Sequence, residues 1–157
     1  MSIALFRIDD RLIHGQVVVG WGKPLNIGFI VLVDDAVRAN PWEQELYRMG
    51  VPAEIDVVFA TTAEADQQLS AWERDPRVGI LVAGDIAALA RLAGNGGRVE
   101  RVNVGGLHHR PGRTERLRYV YLSDAEAAEL KALAARGVEV TAQDVPTASP
   151  VPLEDFT

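Results

Sequence analysis

Ile3-Ala4-Leu5-Phe6-Arg7-Ile8-Asp9-Asp10-Arg11-Leu12-Ile13-His14-Gly15-Gln16 changes character twice along its length. It opens as an alternating strand from Ile3 to Ile8, breaks into a charged loop, and resumes as an apolar, helix-like run from Gln16 to Trp21. His14 therefore stands where a strand has ended and a helix is about to begin. Amides at a helix start lack intrahelical partners and carry partial positive charge, so the Gly15 and Gln16 end of that run suits an anion. Arg11, three residues earlier, adds a planar, permanently charged fork that matches phosphate oxygens. Asp9 and Asp10 can hydrogen-bond one ring nitrogen or hold the arginine, leaving the other nitrogen free to attack. The combination predicts phosphoryl transfer through a phosphohistidine at His14. Arg11 and Asp10 are expected at the reacting group, with Asp9, Gly15 and Gln16 in support. A hydrogen-bonded structural histidine beside an ordinary ion-pair cluster is the competing reading.

The rest of the chain repeats the strand-then-helix alternation. Asn26 to Val33 is a near-continuous apolar run, the pattern of a strand covered on both faces, and it ends in Asp34-Asp35. Asn40 as N-cap, Pro41 at the first helical position, Glu43 at the box position and Gly50 beyond the end punctuate a helix. Ala53 to Phe59 returns to strand character, and Thr61 or Thr62 starts a helix running to about Glu73. Val78 to Ala83 is another buried strand, Asp85 caps a helix through Leu92, and Gly94-Asn95-Gly96-Gly97 reads as a turn. Arg101 to Val104 makes a short strand opening into Gly105-Gly106 and a basic loop through Arg116. Arg118 to Leu122 reads as a sixth strand, Ser123 with Glu126 as a capping box, Gly137 as a helix stop, and Val138 to Val145 as a seventh strand.

Seven strands alternating with helices predict an α/β fold: one domain over residues 1–157, a mainly parallel seven-stranded sheet with helices on both faces, and an irregular tail over about 146–157. Such sheets bind ligands beyond the carboxyl ends of their strands, where the topology reverses. The His14 loop, Asp34-Asp35, Gly84-Asp85 and Gly105-Gly106 are expected along that edge.

Composition narrows the chemistry. The 157 residues are 48% hydrophobic and 24% charged, ordinary values for a globular protein able to bury a substantial core. Zero cysteines exclude disulfides and thiol catalysis and remove the commonest zinc ligands. A net charge of −6 argues against nucleic acid as the main partner, because phosphate backbones demand a strong basic face. No stretch reaches the roughly 18–20 apolar residues of a membrane span, and no signal-type segment precedes the first strand. A cytoplasmic protein without direct membrane insertion is expected.

Familiar rivals lack their residues. Gly22-Lys23 is followed by proline and has no upstream glycine, so a phosphate-binding P-loop is absent, as are dinucleotide-binding and serine-elbow patterns. A phosphoacceptor receiver domain shares the acidic pair after the first strand. It also needs an aspartate after the third strand and a lysine after the fifth, where this chain has Ala60-Thr61 and Gly105-Gly106. Adjacent His108 and His109 rarely reach one ion, and the residues around them are arginines, so no metal is expected. A cationic loop of His108, His109, Arg110, Arg113 and Arg116 fits phosphate or an acidic partner, with a solvated charged loop as its rival. Gly105-Gly106 can be a turn or a backbone nest for an anion.

The segment from Arg7 to Val17 resembles the active-site segment of mannose/fructose/sorbose-type IIB components of the bacterial sugar phosphotransferase system. The likeness extends along the chain: Ile30-Val31-Leu32-Val33-Asp34-Asp35 is similar to the family's second strand, Val102-Asn103-Val104-Gly105-Gly106 to its Asn-x-Gly-Gly turn, and Arg136-Gly137-Val138-Glu139-Val140 to its closing helix-to-strand step. Two places depart from the pattern: Arg48-Met49-Gly50-Val51-Pro52, and the unusually basic loop from His108 to Arg116. The resemblance implies a cytoplasmic phosphotransferase without metal or organic cofactor. By it, His14 takes its phosphoryl group from a IIA component and passes it to a sugar bound by membrane IIC and IID components. A regulatory phosphorelay with the same histidine chemistry is the alternative, and a non-catalytic small-ligand module a third. Arg110 and Arg113 are expected to form a basic docking rim for the phosphorylated donor.

Overall fold

In the computed structural model, which describes residues 2–94 and 97–157, the opening strand β1 (Ile3–Ile8) lies inside the sheet. A π-helical segment, Gln16–Gly22, follows the charged loop and runs into a single α-helical turn, α1 (Lys23–Leu25). Val17-Val18-Val19 would crowd the preceding turn of an α-helix, and Gly20 and Gly22 weaken its hold on the backbone, which favours the wider coil. The chain continues as β2 (Phe29–Val33), α2 (Asp35–Arg38), α3 (Pro41–Met49), β3 (Asp56–Ala60), α4 (Thr62–Glu73), β4 (Gly79–Ala83) and α5 (Ile86–Ala93). Then come β5 (Arg101–Val104), β6 (Thr114–Leu117), β7 (Val120–Leu122), α6 (Asp124–Ala135), β8 (Glu139–Ala142) and β9 (Val151–Pro152).

Helix starts fall where the side chains direct them. Asn40 accepts from the Glu43 amide, Asp85 from the Ala88 amide, and Thr61/Glu64 and Ser123/Glu126 form reciprocal capping boxes. Asp34 caps the short α2, an element additional to those expected from the sequence, by accepting from the Val37 amide. Of the turn expected over Gly94-Asn95-Gly96-Gly97, Asn95 and Gly96 lie outside the described residues.

The seven-stranded sheet runs β3-β2-β4-β1-β5-β8-β9, parallel throughout except for the antiparallel β8–β9 pair. Strands β2 and β4 are wholly buried, as their unbroken apolar runs require. One face packs Leu69, Leu89, Leu92, Leu130 and Leu133 of α4, α5 and α6 against the sheet, and the other packs Val17, Val18 and Trp21 of the π-helical segment with Val37 of α2.

The count of seven strands holds, but two memberships differ. Arg118 to Leu122 does not join the main sheet: its β7 part pairs antiparallel with β6 in a separate hairpin. The seventh place is taken by β9 in the tail, and a 3-10 turn, Leu153–Asp155, follows it. The segment expected to be irregular is therefore anchored, with Phe156 buried against the core. The chain leaves β1 toward β2 and β3, whereas β5 and β8 lie on β1's other side, so the topology reverses at the carboxyl end of β1. The charged loop emerges there.

Candidate active site

Asp9 follows β1 directly and is fully buried between the ends of β4 and β5, its amide donating to the Ala83 carbonyl at 2.9 Å. The loop folds back on it. The Leu12 amide donates to the Asp9 carbonyl at 3.0 Å, and the Arg11 amide to Asp9 Oδ1 at 3.1 Å. Leu12 adopts φ 60°, a left-handed conformation that costs a non-glycine residue about 1–2 kcal/mol. Its side chain is nonetheless buried, lying against Gly84, where a Cβ would come within 3.1 Å of Leu12 Cδ2. That burial offsets the strain and holds the loop in the shape that presents His14.

Three cationic or ring donors converge on the Asp9 carboxylate. Arg11 forks onto it, Nε to Oδ1 at 3.0 Å and Nη2 to Oδ2 at 3.0 Å. Arg7 Nη2 reaches Oδ2 at 3.2 Å, and His14 Nε2 lies 3.2 Å from the same oxygen. Burial alone would push the Asp9 carboxyl up, but the hydrogen bonds from His14 and Arg11 and the charge of Arg7 outweigh it and hold the group well below the usual carboxylate range. Asp9 is therefore an anion, able only to accept.

The other ring nitrogen has its own partner: the Gln16 amide donates to His14 Nδ1 at 3.3 Å. An anionic acceptor at Nε2 and an N–H donor at Nδ1 both require the same neutral tautomer, with the proton on Nε2 and the lone pair on Nδ1. The His14 side chain is 18% exposed, enough for a partner to reach the ring. Arg11, one third exposed, also lies 3.5 Å from Gln16 Oε1 and 3.9 Å from Asp144.

Arg7, absent from the expected site, is its largest buried member. The guanidinium is wholly excluded from solvent and donates to Asn103 Oδ1, to the Gln143 carbonyl at 2.9 Å, to the Asp144 carbonyl at 3.1 Å and to Asp9. It also lies over the Trp21 ring, 5.2 Å from its centroid. Gly105 and Gly106 make room for these groups. A Cβ on Gly105 would sit 2.3 Å from Arg7 Nη2 and 2.6 Å from Asp9 Oδ2, and one on Gly106 would sit 3.1 Å from Arg11 Nε. Their place is beneath the arginines, as close-approach backbone that lets the ion cluster form.

Two expected roles are corrected by the geometry. Asp10, expected at the histidine, is turned to the neighbouring loop: it accepts the His108 amide at 2.8 Å, and its other oxygen lies 2.6 Å from His108 Nδ1. The Asp10 amide is held by the Gly106 carbonyl at 2.9 Å, which aims its side chain along that loop. Arg113, expected on an exposed rim, is buried. It forks onto Glu126 at 2.9 and 2.7 Å and donates to the His108 carbonyl at 2.8 Å, because Glu126 at the start of α6 lies within reach. Arg110 remains exposed on the same loop. Among the described residues there is no cluster of three or more His, Cys, Asp or Glu side chains placed to hold a metal ion.

The parallel α/β sheet thus carries at its switch point an oriented histidine flanked by a buried carboxylate and two arginines, a group of side chains suited to an anionic ligand. The family model described as "PTS system sorbose subfamily IIB component" matches residues 3–157, and the chain belongs to that family of phosphotransferase-system components for sugar uptake. It is 32% identical over 148 residues to the N-acetylgalactosamine-specific phosphotransferase enzyme IIB component 1 of Escherichia coli, covering 92% of each chain. Against the mannose-specific EIIAB component of Escherichia coli it is 32% identical over 150 residues, 94% of this chain but 46% of that relative. The IIBSor domain of the sorbose permease from Klebsiella pneumoniae superposes with a TM-score of 0.89 at 26% identity, covering 99% of this chain and 96% of that one. No helix among the described residues is long and apolar enough to cross a membrane.

Proposed function

We propose that His14 accepts a phosphoryl group on Nδ1 from the phosphohistidine of a IIA component and delivers it to a sugar held by membrane IIC and IID components. The observation that carries this reading is the pair of contacts on the His14 ring, Asp9 at Nε2 and the Gln16 amide at Nδ1. They leave the lone pair on Nδ1. The IIA partner is supported by the mannose-specific relative, an EIIAB component.

In the first transfer the Nδ1 lone pair attacks phosphorus in line, and the donor's P–N bond breaks with its electron pair returning to the donor imidazole. The His14 ring then bears phosphorus on Nδ1 and a proton on Nε2, and so gains positive charge, which the buried Asp9 anion stabilises through the bond it already makes. The Gln16 amide, released from Nδ1, is free to donate to a phosphoryl oxygen at the same helix start. Arg11 supplies a charged fork beside it. Phosphoryl transfer asks little more of a protein than such positioning and charge. In the second transfer the sugar hydroxyl oxygen attacks phosphorus, the P–Nδ1 bond breaks with its electron pair returning to Nδ1, and the hydroxyl proton is released to solvent or a base at the sugar site.

Incubation with phosphorylated IIA followed by intact-mass analysis tests the proposal. The wild type should gain one phosphoryl mass and His14→Ala none, with both proteins folded. Equal uptake by the two would refute it.

A further inference from the structure

The Asp9 carboxylate faces Arg7, Arg11, His14 and, through Arg11, Asp144, and only one of these charged partners is entirely hidden from solvent. Arg7 does not reach solvent, yet four acceptors are held on it: Asn103, the Gln143 and Asp144 carbonyls just after β8, and Asp9. Gly105 is shaped to admit it. Removing one partner of a buried ion pair usually costs about 3–5 kcal/mol, whereas replacing the whole pair with well-packed apolar side chains of similar volume is often no less stable. Stability alone does not explain a guanidinium here.

A buried anion bonded to a histidine favours the imidazolium form, which has no lone pair to attack with. Asp9 would act in that direction on His14 if its charge were unbalanced. Arg7 lies 3.2 Å from the very oxygen that faces Nε2. It neutralises that oxygen from the side away from the loop while fixing its direction. Arg11, one third exposed, remains the surplus positive charge available to phosphate.

We infer that Arg7 is a positioning residue for phosphoryl transfer: acting through Asp9, it holds the His14 ring in the orientation and tautomer that put the lone pair on Nδ1. This rests on the phosphocarrier reading above. The surrounding titratable groups are Arg11, Asp144 and His14 around Asp9, Tyr119 near Arg7 and Asp144, and Asp10 and His108 on the adjoining loop.

Arg7→Met removes the fork while keeping an apolar side chain of similar length, and Arg7→Lys keeps the charge. Two readouts are needed: the tautomer and titration of the His14 ring followed by nitrogen-15 NMR without any donor, and the pH–rate profile of phosphoryl acceptance from phosphorylated IIA. In Arg7→Met the signals should shift toward imidazolium or a tautomer mixture, and the rising limb of the rate profile should move to higher pH. The maximal rate should fall roughly 10–100-fold, the scale on which an outer partner orients a histidine, with little change in the concentration of donor giving half-maximal rate. Arg7→Lys should restore the pH profile in part. A folded Arg7→Met protein with a wild-type tautomer and profile would overturn the inference. Should Arg7→Met fail to fold, Asn103→Ala decides, since it loosens Arg7 while keeping every charge at Asp9: a smaller shift in the same direction is expected, and none would overturn the inference. Because the NMR readout needs no phosphate, a wild-type protein that refused phosphate would count against the phosphocarrier reading and leave the role of Arg7 separately decided.

Discussion

Oδ2 of Asp9 lies 3.2 Å from Nε2 of His14, at the bottom of a site where the carboxylate is fully buried and the ring is not. One end of the pair is thus fixed by the core while the other is open to a partner.

Asp9→Asn keeps the shape of that contact and removes its charge, leaving Arg7 buried without a counter-ion. A loss of about 3–5 kcal/mol in stability is expected, with slow phosphoryl acceptance by the fraction that folds. The acid side supplies a second check. The Asp9 carboxyl is held below its ordinary value, so its contribution is fully present above the unfolded value of about 3.9 and is lost as pH falls below it. Between pH 6 and 3 the melting temperature of the wild type should therefore fall more than that of Asp9→Asn; parallel curves would contradict the assignment.

Arg11 forks onto Asp9 but is one third exposed, so its ion pair contributes modestly to stability. Arg11→Lys keeps the charge and loses the fork. Phosphoryl acceptance should slow by about tenfold or more, with a melting temperature within a few degrees of wild type. Stopped reactions with phosphorylated IIA, compared with thermal melts, separate the two effects.

Arg110 and Arg113 should behave differently despite lying three residues apart. Arg110→Ala, on the exposed loop, should lower the association rate with phosphorylated IIA at low salt. The difference should shrink at physiological ionic strength, where the Debye length is about 8 Å. Arg113→Ala removes the cationic partner of Glu126 and the donor to the His108 carbonyl, and should lower the melting temperature at every salt concentration.

Gly105→Ala places a methyl group 2.3 Å from the Arg7 guanidinium, against a buried group with no room to retreat. It should destabilise the protein and disturb the His14 tautomer together. Gly97→Ala meets no atom within 4 Å but sits at φ +87°, so it should cost stability through backbone strain while leaving the tautomer intact. Melting curves and the His14 ring signals of the two variants make the comparison.

The sheet's centre is legible in the sequence because β2 and β4 are buried on both faces and read as apolar runs, and because Asn40, Thr61, Asp85 and Ser123 mark helix starts by chemistry that acts locally. The hairpin and the tail are less so. Thr114-Glu115-Arg116-Leu117 is polar, and nothing local distinguishes it from loop; it becomes a strand by pairing with Val120 to Leu122. Val151-Pro152 is too short to show a period, and it is the edge of β8 and the burial of Phe156 that settle it.

At the site, the strand–loop–helix order places His14, Arg11 and Asp9 together, since all lie within one turn of chain. Which of Asp9 and Asp10 faces the ring depends on the loop's reversal through Leu12 and on the bond from the Asp10 amide to Gly106, contacts made across the sheet. Arg7 is hidden for another reason. An arginine in an alternating strand reads as a solvent-facing residue, and its partners Asn103, Gln143 and Asp144 come from far along the chain. The available signal was Gly105-Gly106 after β5: two consecutive glycines beside a charged loop mark a place where something large presses on the backbone.

On the proposed mechanism the phosphoryl group resides on Nδ1 of His14. The most direct measurement is nitrogen-15 and phosphorus-31 NMR of the histidine-labelled protein after phosphorylation by IIA, with His14→Ala as the assignment control. One phosphohistidine is expected, absent in His14→Ala, with phosphorus coupled to Nδ1 and a proton retained on Nε2. Phosphorus on Nε2, or on His108 or His109, would contradict it.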